Sequence, residues 1–168
     1  MRPPKTLLAT ILIATVSIAA CSPRIDVRYN NDPDFDFKQI ETFQWLGIQS
    51  DGSIPPFDVR RMGKALVANL EKKRLLETDN AQVDVLIAGY LGITPLQSKK
   101  WEYSHGLYWT EKVTPVPQGT LILDVVDAST RKLIWRAVGN GTYRKDRTPT
   151  QRDHAAERVA KKMLKSFP

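Results

Sequence analysis

The sequence predicts an α+β domain: an antiparallel or mixed sheet of about five strands with two helices packed on one face. Three observations carry that expectation. Stretches alternating apolar and polar residues recur between turn signals. Two segments, one beginning near residue 59 and one at the C-terminus, repeat their apolar residues at helical spacing. The last two strand-like stretches follow one another through the short turn ASTR.

In chain order, RIDVRY at 24–29 sets Ile25, Val27 and Tyr29 at every second position, the period of a half-buried strand. The segment NNDPDFDF breaks it. ETFQWL at 41–46 resumes the alternation, with Thr42, Gln44 and Leu46 opposite Phe43 and Trp45. Asp58 is then placed to cap a helix running from Val59 to Lys73, on which Val59, Met62, Leu66 and Leu70 share a face. Lys72, Lys73 and Arg74 fall in its last turn, where cations complement the negative end of the helix dipole. QVDVLIAGYLGIT at 82–94 reads as a long, largely buried strand, with Gly89 and Gly92 marking a bulge or bend. GTLILDVVD and KLIWRAVGNGTY form an antiparallel hairpin. The closing helix is opened by the capping-box pair Thr150 and Asp153, and Ala156, Val159, Ala160, Met163, Leu164 and Phe167 line one of its faces.

The residues that carry chemistry are few. The two histidines, His105 and His154, share no metal-binding spacing, and no glycine-rich phosphate cradle is present, so no cofactor or metal is expected. Ser104 stands next to His105, which does not aim the hydroxyl at the imidazole, and Asp124 and Asp127 alternate to opposite faces of their strand. No catalytic residue is therefore expected. An enzyme acting on glycan or lipid is the alternative, its carboxylates converging only in the fold. The segment PLQSKKWEYSHGLYWTEKVTPVP sets Trp101, Tyr103, Tyr108 and Trp109 among Lys99, Lys100 and Lys112, a composition that suits a binding surface. The competing reading is a hairpin whose aromatics pair across strands.

The first residues decide the compartment. Arg2 and Lys5 precede an uncharged, mostly apolar run from Leu7 to Ala20, the layout of a bacterial secretory signal and too short for a comfortable membrane span. Residues 1–20 read as that signal and 21–168 as one lipid-anchored domain. Ile18, Ala19 and Ala20 before Cys21 resemble the lipobox of bacterial lipoproteins, which implies that Cys21 is lipidated and becomes the first mature residue. Two or more acyl chains on one cysteine anchor stably where one does not. In bacterial lipoproteins an Asp after the cysteine retains the chain in the inner membrane, so with Ser22 there the resemblance implies the outer membrane, facing the periplasm. The net charge of +7 falls to about +5 when Arg2 and Lys5 are removed. An exported chain meets no nucleic acid, and its basic clusters fit solvated helix ends and loop tips, with anionic head groups or a negatively charged wall polymer as the alternative. With one cysteine there is no disulfide, and packing alone stabilises the fold.

Four separated phrases, IDVRYNNDPDFDFKQIETFQW, VDVLIAGY, GTLILDVVDASTRKLIWRAVGNG and RVAKKMLKSFP, resemble the bacterial lipoproteins grouped as domain of unknown function 4136. The matching positions are Phe37, Thr42, Phe43 and Trp45, then Gly119 to Asp127 with Leu133, Trp135 and Arg136, then Phe167 and Pro168. Ala137 stands where a glycine often follows the Trp-Arg pair. Arg74 stands where a glycine commonly ends the first helix, which sets a left-handed C-cap there in question. The resemblance implies an envelope lipoprotein with an α+β domain, and it supplies no activity. The lipobox, the lack of catalytic spacing and the aromatic-basic segment lead to the expectation that the domain binds a protein partner or an envelope component.

Overall fold

The computed structural model describes residues 24–79, 82–104 and 108–168, and the side chains of all of these except 98–104 and 108–115. In chain order the elements are β1 (Ile25–Asn31), β2 (Thr42–Ser50), α1 (Pro56–Lys72), β3 (Leu76–Glu77), β4 (Val85–Ser104), β5 (Tyr108–Asp127), β6 (Leu133–Thr142) and α2 (Pro149–Met163). Short 3-10 turns lie at Phe37–Gln39 and Leu164–Ser166. The six strands form one sheet in the order β1-β6-β5-β4-β2-β3. Strand β2 runs parallel to β3 and β4, while the remaining neighbours are antiparallel. The fold is α+β with a mixed sheet, as the alternation patterns predict. The sixth strand, β3, has two residues and therefore too few to show a period.

Both helices lie on one face of the sheet, and the packing follows from the apolar periodicity. Met62, Leu66 and Leu70 of α1 and Ala156, Ala160 and Met163 of α2 are buried with Phe43, Val85, Ile87, Leu123, Val125 and Ala137 of the strands. Burying a side chain such as Leu66 contributes about 1.5–3 kcal/mol. Trp135 is buried against Phe167, ring centroids 5.2 Å apart in an edge arrangement, so the C-terminal Phe-Pro closes the core. Gly139 lets α2 pack close: a Cβ there would run into the Met163 sulfur, and that side chain would have to shift. Among the described residues the buried hydrophobic set lies between Ile40 and Phe167, and a chain starting at Ser22 retains all of it.

Several boundaries differ from the sequence expectation. Helix α1 starts at Pro56 with Pro55 as its N-cap, since proline's fixed φ suits a first turn. Asp58 is not its cap and is instead drawn into an ion-pair cluster. Helix α2 opens with the capping box Thr148 and Gln151 around Pro149, not with Thr150 and Asp153. The irregularity expected at Gly89 lies across the ladder in β2, between Trp45 and Ile48, where Gly47 takes φ +92°. Gly89 answers it: a Cβ there would meet Ile48 Cγ1 at 2.9 Å. Arg74 does adopt the left-handed conformation, φ 71°. Its N–H bonds Glu71 O at 2.8 Å and Leu75 N–H bonds Leu70 O at 3.4 Å, the paired bonds of a Schellman cap without its glycine.

Strands β4 and β5 stay paired from Val85 opposite Asp127 to Ser104 opposite Tyr108. Their neighbours stop sooner: β2 ends at Ser50 opposite Leu91, and β6 ends at Thr142 opposite Gln118. Beyond Pro95 and Pro117, which face each other, β4 and β5 continue as a two-stranded ribbon. Prolines lack the N–H that a third strand needs, so residues 95, 115 and 117 help to end the sheet there. The ribbon rises from the end of the sheet where β1 begins. Ile25 pairs with Gly141, Gly141 with Gly119, and Gly119 with Ile93, one row across four strands.

Candidate functional site

At that same row the sheet and its two helices part, leaving a pocket of about 120 Å³. Its interior is apolar, lined by Leu91, Leu121, Met62, Ala155, Ala156 and Val159 among others. Small residues keep it open. A Cβ on Gly119 or Gly141 would find its nearest neighbour at 3.6 Å, an ordinary contact, so larger residues would fit and glycine leaves the space free.

The rim is a different chemistry. Six arginines, Arg24, Arg61, Arg144, Arg147, Arg152 and Arg158, line the pocket, and Asp58 is the one acid among the described lining residues. Asp58 is spent on structure. Its side chain, 13% exposed, pairs with Arg61 at 3.1 Å and with Arg152, and Tyr143 donates its hydroxyl to it at 3.1 Å. Arg61 also reaches Asp153 at 2.8 Å. Arg152 donates onward to the carbonyls of Arg147 (3.0 Å) and Lys145 (2.7 Å), which clamps segment 143–147 to both helices. Burial raises the Tyr143 pKa, against the hydrogen bond from Arg152, so its phenol stays protonated. Arg144 pairs with Asp146 at 3.0 Å at the surface.

Arg24, Arg147 and Arg158 remain. Among the described residues none of these three guanidinium groups meets a carboxylate or a hydrogen-bond acceptor. Arg147 is half-buried, and burial first, then the charges of Arg158 and Arg144, lower its pKa below the usual value. It stays charged at neutral pH. A half-buried cation repelled by its neighbours is stabilised by any anion that enters, and a guanidinium bonds carboxylate or phosphate in bidentate fashion. Apolar interior and cationic rim together fit an amphipathic anion.

The sequence-predicted residues fall elsewhere. Cys21 and the segment 1–20 lie outside the described residues. The ribbon register sets Tyr103 opposite Trp109 and Trp101 opposite Glu111, which puts Trp101, Tyr103 and Trp109 at positions on one face. Tyr108 is opposite Ser104, at a position on the other face. Asp124 is engaged by Arg136 through two bonds of 2.6 Å, and Asp127 accepts from Ser129 Oγ and Thr130 N–H in its turn. These two acids do not converge. His154 is exposed on α2, and His105 is not among the described residues. The arginine rim is absent from the sequence reading, because its members come from the residue before β1, from α1, from a loop and from α2. One signal was available: residues 144–158 use arginine at four positions, whereas the end of α2 and the turn after it use lysine at 161, 162 and 165.

The chain belongs to the family described as Domain of unknown function (DUF4136), whose sequence model matches residues 27–168. No curated protein matches the chain in sequence. Among solved structures it is similar to the PelC dodecamer from Paraburkholderia phytofirmans, with a TM-score of 0.55 and 14% identity over 84% of this chain and 96% of that one. It is similar as well to a PDZ domain protein from Parabacteroides distasonis, with a TM-score of 0.53 and 14% identity over 87% of this chain and 36% of that one. The chain thus spans about a third of the Parabacteroides protein, and at this identity both likenesses are of fold alone.

Proposed function

We propose that the chain is an envelope lipoprotein, anchored through lipid on Cys21 at the periplasmic face of the outer membrane, whose domain binds an amphipathic anion of the envelope without chemically altering it. The lipobox from Ile18 to Cys21 and the Ser22 after it support the anchor. The observation that carries the binding reading is the pocket, apolar inside, with Arg147 and Arg158 unpaired among the described residues at its rim. A cavity of ~150 Å³ admits benzene, so this one receives a short apolar segment rather than a whole acyl chain. The head group then meets guanidinium, each charge-assisted hydrogen bond contributing about 1.5–3 kcal/mol.

The experiment is calorimetric titration of the chain from Ser22 with decanoate, decyl phosphate and decanol. Both anions bind and decanol binds at least about tenfold more weakly, since it lacks the charge. Arg147→Ala with Arg158→Ala removes that preference. Equal affinity for decanol, or an unchanged preference in the double variant, would falsify the assignment. Replacing Cys21 by Ala releases the protein from the membrane fraction; persistence there with no acyl label incorporated overturns the anchor.

A further inference from the structure

We infer that the domain lies with its pocket rim and ribbon against the anionic lipid surface of the membrane that anchors it, so that the amphipathic anion is a lipid of that membrane. This rests on the anchor reading for its direction. Arg24 lines the pocket and stands three residues after Cys21, so the lipidated residue lies within about 11 Å of Arg24 even on a fully extended chain. The row Ile25, Gly141, Gly119 and Ile93 puts the start of β1 level with the base of the ribbon. Strand β1 runs away from that row into the body, while β4 runs out of it. Anchor, arginine rim and ribbon therefore share one end of the molecule.

Ribbon and tether differ in length. From Pro95 to Ser104 the ribbon extends about 30 Å at ~3.4 Å per residue. The tether is about a third of that, so a ribbon leaving the tethered end meets the bilayer. It does not enter the hydrocarbon, because a two-stranded ribbon has open edges whose N–H and C=O groups find no partner there. It lies in the head-group layer. That layer favours tryptophan and tyrosine together with lysine, the residues that 99–112 carry at Lys99, Lys100, Trp101, Tyr103, Trp109 and Lys112. An isolated two-stranded ribbon is marginal in water, and contact with the interface supplies the missing support. Arg24, Arg147 and Arg158, unpaired within the described protein, are left for lipid phosphates.

The test uses the lipidated protein in vesicles of phosphatidylethanolamine and phosphatidylglycerol carrying brominated acyl chains, which quench nearby tryptophan fluorescence. Trp135, 1% exposed, and Trp45, packed on Gly63, serve as internal references. Part of the emission is quenched, and Trp101→Phe with Trp109→Phe removes the quenched part. In parallel, the chain from Ser22 without lipid partitions onto the same vesicles and less onto phosphatidylcholine, with about fivefold lost for each of Arg147→Ala, Arg158→Ala and Lys100→Ala. Circular dichroism of each variant separates weakened binding from misfolding. Anchored protein with unquenched emission overturns the docking and leaves the anchor standing. Quenching and partitioning with no acyl group on native Cys21 overturn the anchor and leave the docking. A vesicle-bound protein equally quenched in the double tryptophan variant removes the ribbon from the surface.

Discussion

The two ends of the sheet are finished by opposite chemistry. At the end where β2 begins, carboxylates are consumed in closing the chain on itself. Asp84 accepts from the N–H groups of Glu41 (3.0 Å) and Thr42 (2.8 Å) and from the Thr42 hydroxyl (2.8 Å), and Asp127 holds its turn through Ser129 and Thr130. Both carboxyls are held below their usual pKa by these bonds. At the end from which the ribbon rises, six arginines line the pocket with one acid among the described lining residues, and β4 and β5 run on past the last paired residues of β2 and β6. Charge that the fold does not use is charge available to a ligand. The proposed function assigns stability to the far end and contact to the ribbon end, and substitutions at each separate the two.

The largest effect is expected at Asp58, where the two regimes meet. Asp58→Ala leaves Arg61 and Arg152 without their shared acid and frees segment 143–147 from α1. Breaking a fully buried pair costs ~3–5 kcal/mol, and these partners are 22% and 28% exposed, so about 2–3 kcal/mol is expected in urea unfolding. A loss below about 0.5 kcal/mol, the size of an ordinary surface substitution, would show that the clamp is ornamental.

Acid sharpens the comparison from the other end. The Asp84 pKa is lowered chiefly by the Glu41 N–H, with Thr42 adding to it and partial burial opposing. A carboxyl depressed in the folded state contributes stability above its unfolded value near 3.9, and that contribution is lost as pH falls through the folded value. Asp84→Asn therefore unfolds more easily than the parent at neutral pH, and the difference shrinks below about pH 4. Urea midpoints at the two pH values check this, and a constant gap between variant and parent would count against it.

Arg74, also at the far end, is a smaller case with the opposite sign. The left-handed region costs a non-glycine residue about 1–2 kcal/mol, partly offset by the extra unfolded freedom of glycine. Arg74→Gly is expected to raise stability by about 0.5–1 kcal/mol, read as an upward shift of the thermal midpoint. Leu70 and Leu75, buried beneath the cap, hold the turn whichever residue occupies position 74.

That cap also marks where the sequence stops being legible. Alternation and helical spacing are local, so the strands, both helices and the hairpin 119–143 are readable from neighbouring residues. Burial of Leu70 and Leu75 is a tertiary fact, and it imposed the left-handed turn on an arginine. The bulge is similar: Gly89 was visible, but its reason is Ile48 on the next strand. The length of β4 and β5 was open between two readings of 95–117, and the register sides with the hairpin, Tyr103 lying opposite Trp109. The arginine rim was least legible of all. Its residues lie as far apart as Arg24 and Arg158, and only the row across four strands brings them to one end.

The smallest stability change is expected where the binding change is greatest. In Arg147→Ala with Arg158→Ala no described ion pair is broken, and the burial and then the repulsion that lower the Arg147 pKa are both relieved. Stability should stay within about 0.5 kcal/mol of the parent and lean upward, while the preference for decanoate over decanol disappears. The unfolding midpoint and the titration are read on the same preparation. A destabilisation approaching that of Asp58→Ala would mean that these arginines hold the segment rather than wait for an anion, and the contrast between the two ends of the sheet would fail.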